Sequence, residues 1–169
     1  DDSGWEAIDV PHDARLTEDY DLNLFRGPGK LRFSSSWYRK KFRVPKDWSN
    51  RPLFLTFEGV MRAAQVFLNG VLIGTHEVGY TAFTFRLDST GLLREGNSSN
   101  LLAVFADDRF SSWDGIGWWY SGAGVYRDVT LTSFATPLHL AIDGGVFAVP
   151  SIPAPETTIS MHQDGNGTA

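Results

Sequence analysis

Apolar and polar positions alternate along much of the chain with the period of a strand. In residues 53–58, Leu53, Leu55 and Phe57 share one face and Phe54, Thr56 and Glu58 the other, the pattern of a strand buried on one side. Gln65-Val66-Phe67-Leu68 and Val71-Leu72-Ile73-Gly74 then flank Asn69-Gly70. Two apolar runs around Asn-Gly predict a hairpin, because a type I′ turn needs positive φ at both central residues and these two types tolerate it. Leu68 and Val71 are expected to face each other, and with residues 53–58 they predict a three-stranded nucleus closing near Tyr80.

Alternation returns over residues 37–44, where Tyr38, Lys40, Phe42 and Val44 oppose Trp37, Arg39, Lys41 and Arg43, until Pro45 ends the run. Residues 83–87 and 125–132 alternate likewise, and residues 101–106 are apolar on both faces, as in a central strand. Residues 5–13 alternate only briefly before Pro11 and read as an edge segment. No window carries the helical period over a useful length, and residues 88–96 leave room for one helical turn at most. Short strands separated by turn signals predict an all-β sandwich or barrel.

Two long connections interrupt the strands: the polar residues 16–36, punctuated by Gly27-Pro28-Gly29, and residues 107–124. Phe134-Ala135-Thr136-Pro137 reads as an interdomain joint, followed by strand candidates at 138–142, 146–149 and 158–161. Three strands fall short of the roughly seven of a sandwich. The chain is therefore expected to hold one domain, residues 1–136, and the beginning of another, residues 137–169.

Composition excludes more than it assigns. The net charge of −5 comes with basic residues scattered singly, so nucleic-acid and membrane partners are not expected. Cysteine is absent, which removes disulfide and thiol chemistry but leaves the compartment open among secreted, periplasmic and cytoplasmic. His12, His76, His139 and His162 are too dispersed for a zinc motif, and no cofactor or metal is expected. The chain opens on Asp1-Asp2-Ser3, without a basic-then-apolar leader. Asn97-Ser98-Ser99 and Asn166-Gly167-Thr168 fit the glycosylation pattern, which arises often by chance.

Three motifs in order carry a resemblance: Val10-Pro11-His12-Asp13; Phe57-Glu58-Gly59-Val60 with Val66-Phe67-Leu68-Asn69-Gly70, Gly74 and Gly79-Tyr80; and Trp119-Tyr120-Ser121-Gly122-Ala123-Gly124-Val125-Tyr126-Arg127-Asp128-Val129. Together they resemble the N-terminal sugar-binding β-sandwich of glycoside hydrolase family 2, which contains β-galactosidases, β-glucuronidases and β-mannosidases. The first motif departs from the family in having Ala14 where tryptophan is usual. The resemblance implies a jelly-roll (galactose-binding-like) sandwich for residues 1–136 and an incomplete immunoglobulin-like sandwich for residues 137–169. It also implies a parent retaining hydrolase of β-galactosidase type, whose catalytic barrel lies outside this sequence. The chain would brace that barrel and form part of its sugar pocket.

The stretch from Asp107 to Tyr120 is the richest in chemistry, with Trp and Asp interleaved with Gly. Aromatic faces stack on the C–H faces of sugars and carboxylates accept from hydroxyls, so this composition suits a carbohydrate surface. Trp118, Trp119 and Tyr120 fit better as filling at the sandwich end, whereas Trp113 and Asp114 fit either role. The resemblance implies that an acid before the Gly-Val-Tyr-Arg-Asp segment reaches the sugar; Asp114 is the nearest, with Asp107 and Asp108 as alternatives. The expected substrate-binding set is thus Asp114, Trp113, Asp108 and Asp107, with no catalytic residue.

His12 and Asp13 form a base beside a carboxylate, but without a placed nucleophile they read as a loop tie. Arg127-Asp128 reads as structural, and Glu58 and Glu77 lack a second carboxylate at the ~5 Å that retaining hydrolysis needs. The alternatives are a free-standing lectin-like module and a purely structural sandwich; a third of a second domain is of no use to either.

Overall fold

The computed structural model describes residues 3–23, 31, 32, 34–94, 96, 98–109, 120, 122–136, 138, 139 and 142. The alternating segments form seven strands among these residues: β1 Ser35–Phe42, β2 Leu53–Phe57, β3 Ala63–Leu68, β4 Val71–His76, β5 Phe83–Arg86, β6 Asn100–Asp107 and β7 Val129–Ser133. A 3-10 turn, Lys46–Trp48, follows Pro45. All pairings are antiparallel, in a four-stranded sheet of order β1-β6-β3-β4 and a three-stranded sheet of order β5-β2-β7. The chain divides into two compact units, Asp1–His139 and Leu140–Ala169. The strand candidates expected beyond residue 142 lie outside the described residues.

Period-two burial explains why the sheets face each other. Leu53, Leu55 and Phe57 of β2, Ala64, Val66 and Leu68 of β3, and Leu102, Val104 and Ala106 of β6 are buried in one cluster. Each large side chain so buried contributes roughly 1.5–3 kcal/mol. Phe57 stacks on Phe83 with centroids 4.9 Å apart. β6 lies centrally between β1 and β3, with one face buried and the other half-covered, which accounts for its apolar residues on both sides.

The Asn69-Gly70 turn has φ of 51° and 88°, and Leu68 pairs with Val71. The three-stranded nucleus does not form as expected. β3 and β4 pair, but β2 belongs to the opposite sheet, between β5 and β7. The chain crosses between sheets over residues 58–62, where Met61 exchanges backbone hydrogen bonds with Gly124 at 2.8 and 2.9 Å. Alternation specifies which side chains share a face, not which strand lies alongside.

The last strand is also shorter than its pattern. Gly122 and Gly124 take φ of 79° and 83°, which keeps residues 122–128 irregular, so β7 starts only at Val129.

Candidate functional site

The first and third sequence motifs meet at one end of the sandwich. His12 N donates to Val125 O at 2.7 Å and Ala14 N to Ala123 O at 3.0 Å, so the two segments run side by side. Asp13 is the hub between them: its Oδ1 accepts from Arg15 N at 3.0 Å and from Ala123 N at 3.2 Å. The Tyr120 hydroxyl is hydrogen-bonded to the same carboxylate; burial first and this anionic partner second push the phenol far above its ordinary value. His12 Nδ1 lies 3.0 Å from the Tyr38 hydroxyl, whose own ionisation burial also raises. A Cβ at Gly124 would collide with that hydroxyl, so the motif needs glycine there for space as well as for its φ.

Arg15 is 1% exposed and ion-paired with Asp108, itself 5% exposed. Asp108 Oδ1 accepts from Ser34 N at 2.6 Å, and Asp108 N donates to Ser34 O at 3.2 Å. Burial lowers the Arg15 pKa, and the charges of Tyr120, Glu18 and Asp13 oppose that shift. One residue earlier, Asp107 accepts from Arg109 Nε and Nη2, both at 2.8 Å, and from Arg109 N at 3.0 Å. These bonds from Arg109 hold the Asp107 carboxyl below its ordinary range against the effect of burial.

The second motif is tied to the third close by. The Tyr126 ring lies against Gly59, where a Cβ would sit 2.8 Å from it, and the Tyr126 hydroxyl donates to Gly79 O at 2.7 Å. Gly59, Gly74 and Gly124 of the motifs thus mark close approaches of an aromatic ring to backbone.

Of the expected sugar-contacting residues, Asp107 and Asp108 are neighbours at the end of β6, with both carboxylates engaged by protein donors. Trp113 and Asp114 lie outside the described residues, as do Trp118 and Trp119. Among the described residues, no group of His, Asp and Glu is arranged to hold a metal ion. Glu58 is exposed. Sequence reasoning passed over Arg15, which stands alone in a polar loop, and Tyr38, which reads as one more inward strand residue. The only available signal was that Arg15 follows so closely on Asp13.

The sequence model described as glycosyl hydrolases family 2, sugar binding domain, matches residues 14–136. The chain belongs to glycoside hydrolase family 2. Within the family it is similar to the β-galactosidase BoGH2A of Bacteroides ovatus, 31% identical over 95% of this chain and 18% of that protein. It is also similar to a β-glucuronidase of Formosa agariphila, 32% identical over 83% of this chain and 15% of that one. Among solved structures, a β-glycosidase from Bacteroides vulgatus matches with a TM-score of 0.67 and 34% identity, covering 79% of this chain and 17% of that one. Bacteroides uniformis β-glucuronidase 2, covalently bound to cyclophellitol-6-carboxylate aziridine, matches with a TM-score of 0.65 and 30% identity over 79% of this chain and 15% of that one. Residues 14–136 are thus a sugar-binding domain of the family 2 type, and the chain spans under a fifth of the length of these relatives.

Proposed function

We propose that residues 1–136 are the N-terminal sandwich of a retaining hydrolase acting on terminal β-galactosides, and that residues 137–169 open its immunoglobulin-like domain. The chain braces the catalytic barrel and supplies one wall of the sugar pocket. Asp114 and Trp113 contact the sugar, and Asp107 and Asp108 hold the segment that carries them.

The observation that carries this reading is the fixing of both flanks of residues 110–119. Before them, Asp108 is bonded to Arg15 and Ser34, and Asp107 to Arg109. After them, Tyr120 is bonded to Asp13, which also holds Ala123. A carboxylate that must meet a sugar hydroxyl gains from such a frame, because loosely supported groups lose much of their effect.

A β-glucuronide is the second reading, supported by the glucuronidase relatives. Charge weighs against it. A uronate beside Asp114 would put two anions together, whereas the hydroxyls of a neutral galactoside are donors to that carboxylate.

The test is steady-state kinetics of the longer enzyme carrying residues 1–169, with aryl β-galactoside and aryl β-glucuronide. Galactoside turnover should exceed glucuronide turnover, and Asp114→Asn should raise KM about tenfold or more while kcat changes less. Unchanged KM, or a preference for the glucuronide, would overturn the assignment.

A further inference from the structure

Between the edge strands β1 and β7 the two sheets stand apart, leaving a cleft of about 1040 Å³. Its walls include the inward-facing Tyr38 and Phe42 of β1, Leu55 and Phe57 of β2, and Val129 and Leu131 of β7, together with the chain's own N-terminal segment from Gly4 to Val10. Leu55 and Phe57 are buried, but Tyr38, Phe42, Val129 and Leu131 are only half-buried, although their parity points them at the core. A sandwich closes such positions against a neighbour, because interiors pack to crystal-like density.

The backbone at this edge is unsatisfied too. In an antiparallel strand, successive residues turn their N–H and C=O groups to opposite sides. Phe134 N donates to Pro52 O and Glu58 N to Asp128 O, which places the even-numbered groups of β7 toward β2. The N–H and C=O groups of Val129, Leu131 and Ser133 therefore point outward, and among the described residues no strand pairs with them. Ser133 Oγ, on the same strand, is buried without a hydrogen-bond partner. By contrast, the β1 side of the cleft is flanked by the chain's own N-terminal segment, with the Arg39 guanidinium 3.9 Å over the Trp5 ring.

We infer that this cleft is the acceptor for one additional β-strand, an extended polypeptide segment from outside residues 1–169 with apolar side chains at alternate positions. It joins the outer edge of β7 and extends the sheet to four strands. Its backbone takes up the outward groups of Val129, Leu131 and Ser133, and its apolar side chains complete the layer between Leu131 and Phe42. An occupant of about six residues matches the length of β7 at ~3.3 Å per residue. Strand addition draws affinity from main-chain bonds and selectivity from pockets for alternate side chains, and this edge offers both. The relatives supply ample polypeptide for the role, since the stretch matched by this chain makes up 18% of one and 15% of the other. The inference concerns the scaffold, so it stands or falls independently of the sugar assignment.

The experiment is amide hydrogen exchange on the 169-residue chain, resolved by residue, with and without a synthetic peptide of about nine residues alternating Leu or Val with Thr between terminal lysines. The peptide should slow exchange about tenfold or more at Val129, Leu131 and Ser133, and leave Thr130 and Thr132, already paired with β2, little changed. The same peptide N-methylated along one edge keeps its side chains and should lose the effect. Absence of protection, or equal protection from the N-methylated or a scrambled peptide, would overturn the proposal. So would slow exchange at the three amides in dilute peptide-free chain, which means the chain fills its own cleft, or protection that rises with protein concentration alone, which means a second copy fills it.

Discussion

Asn69 Nδ2 donates to Asn100 Oδ1 at 2.9 Å, tying the tip of the β3–β4 hairpin to the first residue of the central strand β6. Asn69 has a backbone role at φ 51° and a side-chain role at once: Nδ2 also donates to Leu92 O, and Oδ1 accepts from Leu101 N. Asn100 is wholly buried, and its amide is filled by Arg94 N and Arg94 O.

Removing either amide leaves part-buried backbone groups without partners, at up to about 1–3 kcal/mol for each. Asn100→Ala should therefore be more damaging than Asn69→Gly, which keeps the turn geometry and loses only the side-chain bonds. Urea unfolding of the two variants checks the order; equal midpoints would show the network to be dispensable.

Arg15 and Asp108 form a buried pair, both side chains nearly inaccessible. Breaking such a pair from one side strands a charge and costs about 3–5 kcal/mol, whereas replacing both members by apolar residues of similar size is often close to neutral. Arg15→Met and Asp108→Leu should each destabilise strongly, and the double variant should recover much of the loss. Additive losses in a double-mutant cycle would mean that the two residues act separately.

The hairpin was legible because its signal is local: Asn69-Gly70 prescribes its own φ angles, and the flanking residues alternate in register. The placement of β2 was not, because Leu53, Leu55 and Phe57 announce a buried face without naming the strand alongside. Arg15 was hidden for a related reason. A lone arginine in a polar loop carries no mark of burial, and only the fold brings Asp108, just past β6, against it. The motif glycines were legible as a pattern, but the reason for them, the Tyr38 hydroxyl at Gly124 and the Tyr126 ring at Gly59, is tertiary.

Acid should unfold the chain partly through Asp107 and Asp88. Hydrogen bonds from Arg109 lower the Asp107 pKa. At Asp88, burial works the other way and is overcome by bonds from Arg86 and from Leu53 N. A carboxyl with a depressed folded-state pKa contributes stability that is present above its unfolded value of about 3.9 and is lost as pH falls through the folded one. Stability of the parent chain should thus drop below about pH 4, and that drop should be shallower in Asp107→Asn and Asp88→Asn. Identical acid limbs in all three proteins would remove these carboxylates from the account.

The central claim is that this chain contacts a sugar without performing hydrolysis. Retaining hydrolysis needs a protonated carboxylic acid and an ionised carboxylate on opposite sides of one bond, about 5–5.5 Å apart. Asp107 and Asp108 follow each other along one strand end and are bonded to protein donors. The most direct measurement is hydrolysis of an aryl β-galactoside by the purified 169-residue chain, repeated with Asp114→Asn. The account predicts no release above the uncatalysed background from either protein; turnover by the parent chain that disappears in Asp114→Asn would contradict it.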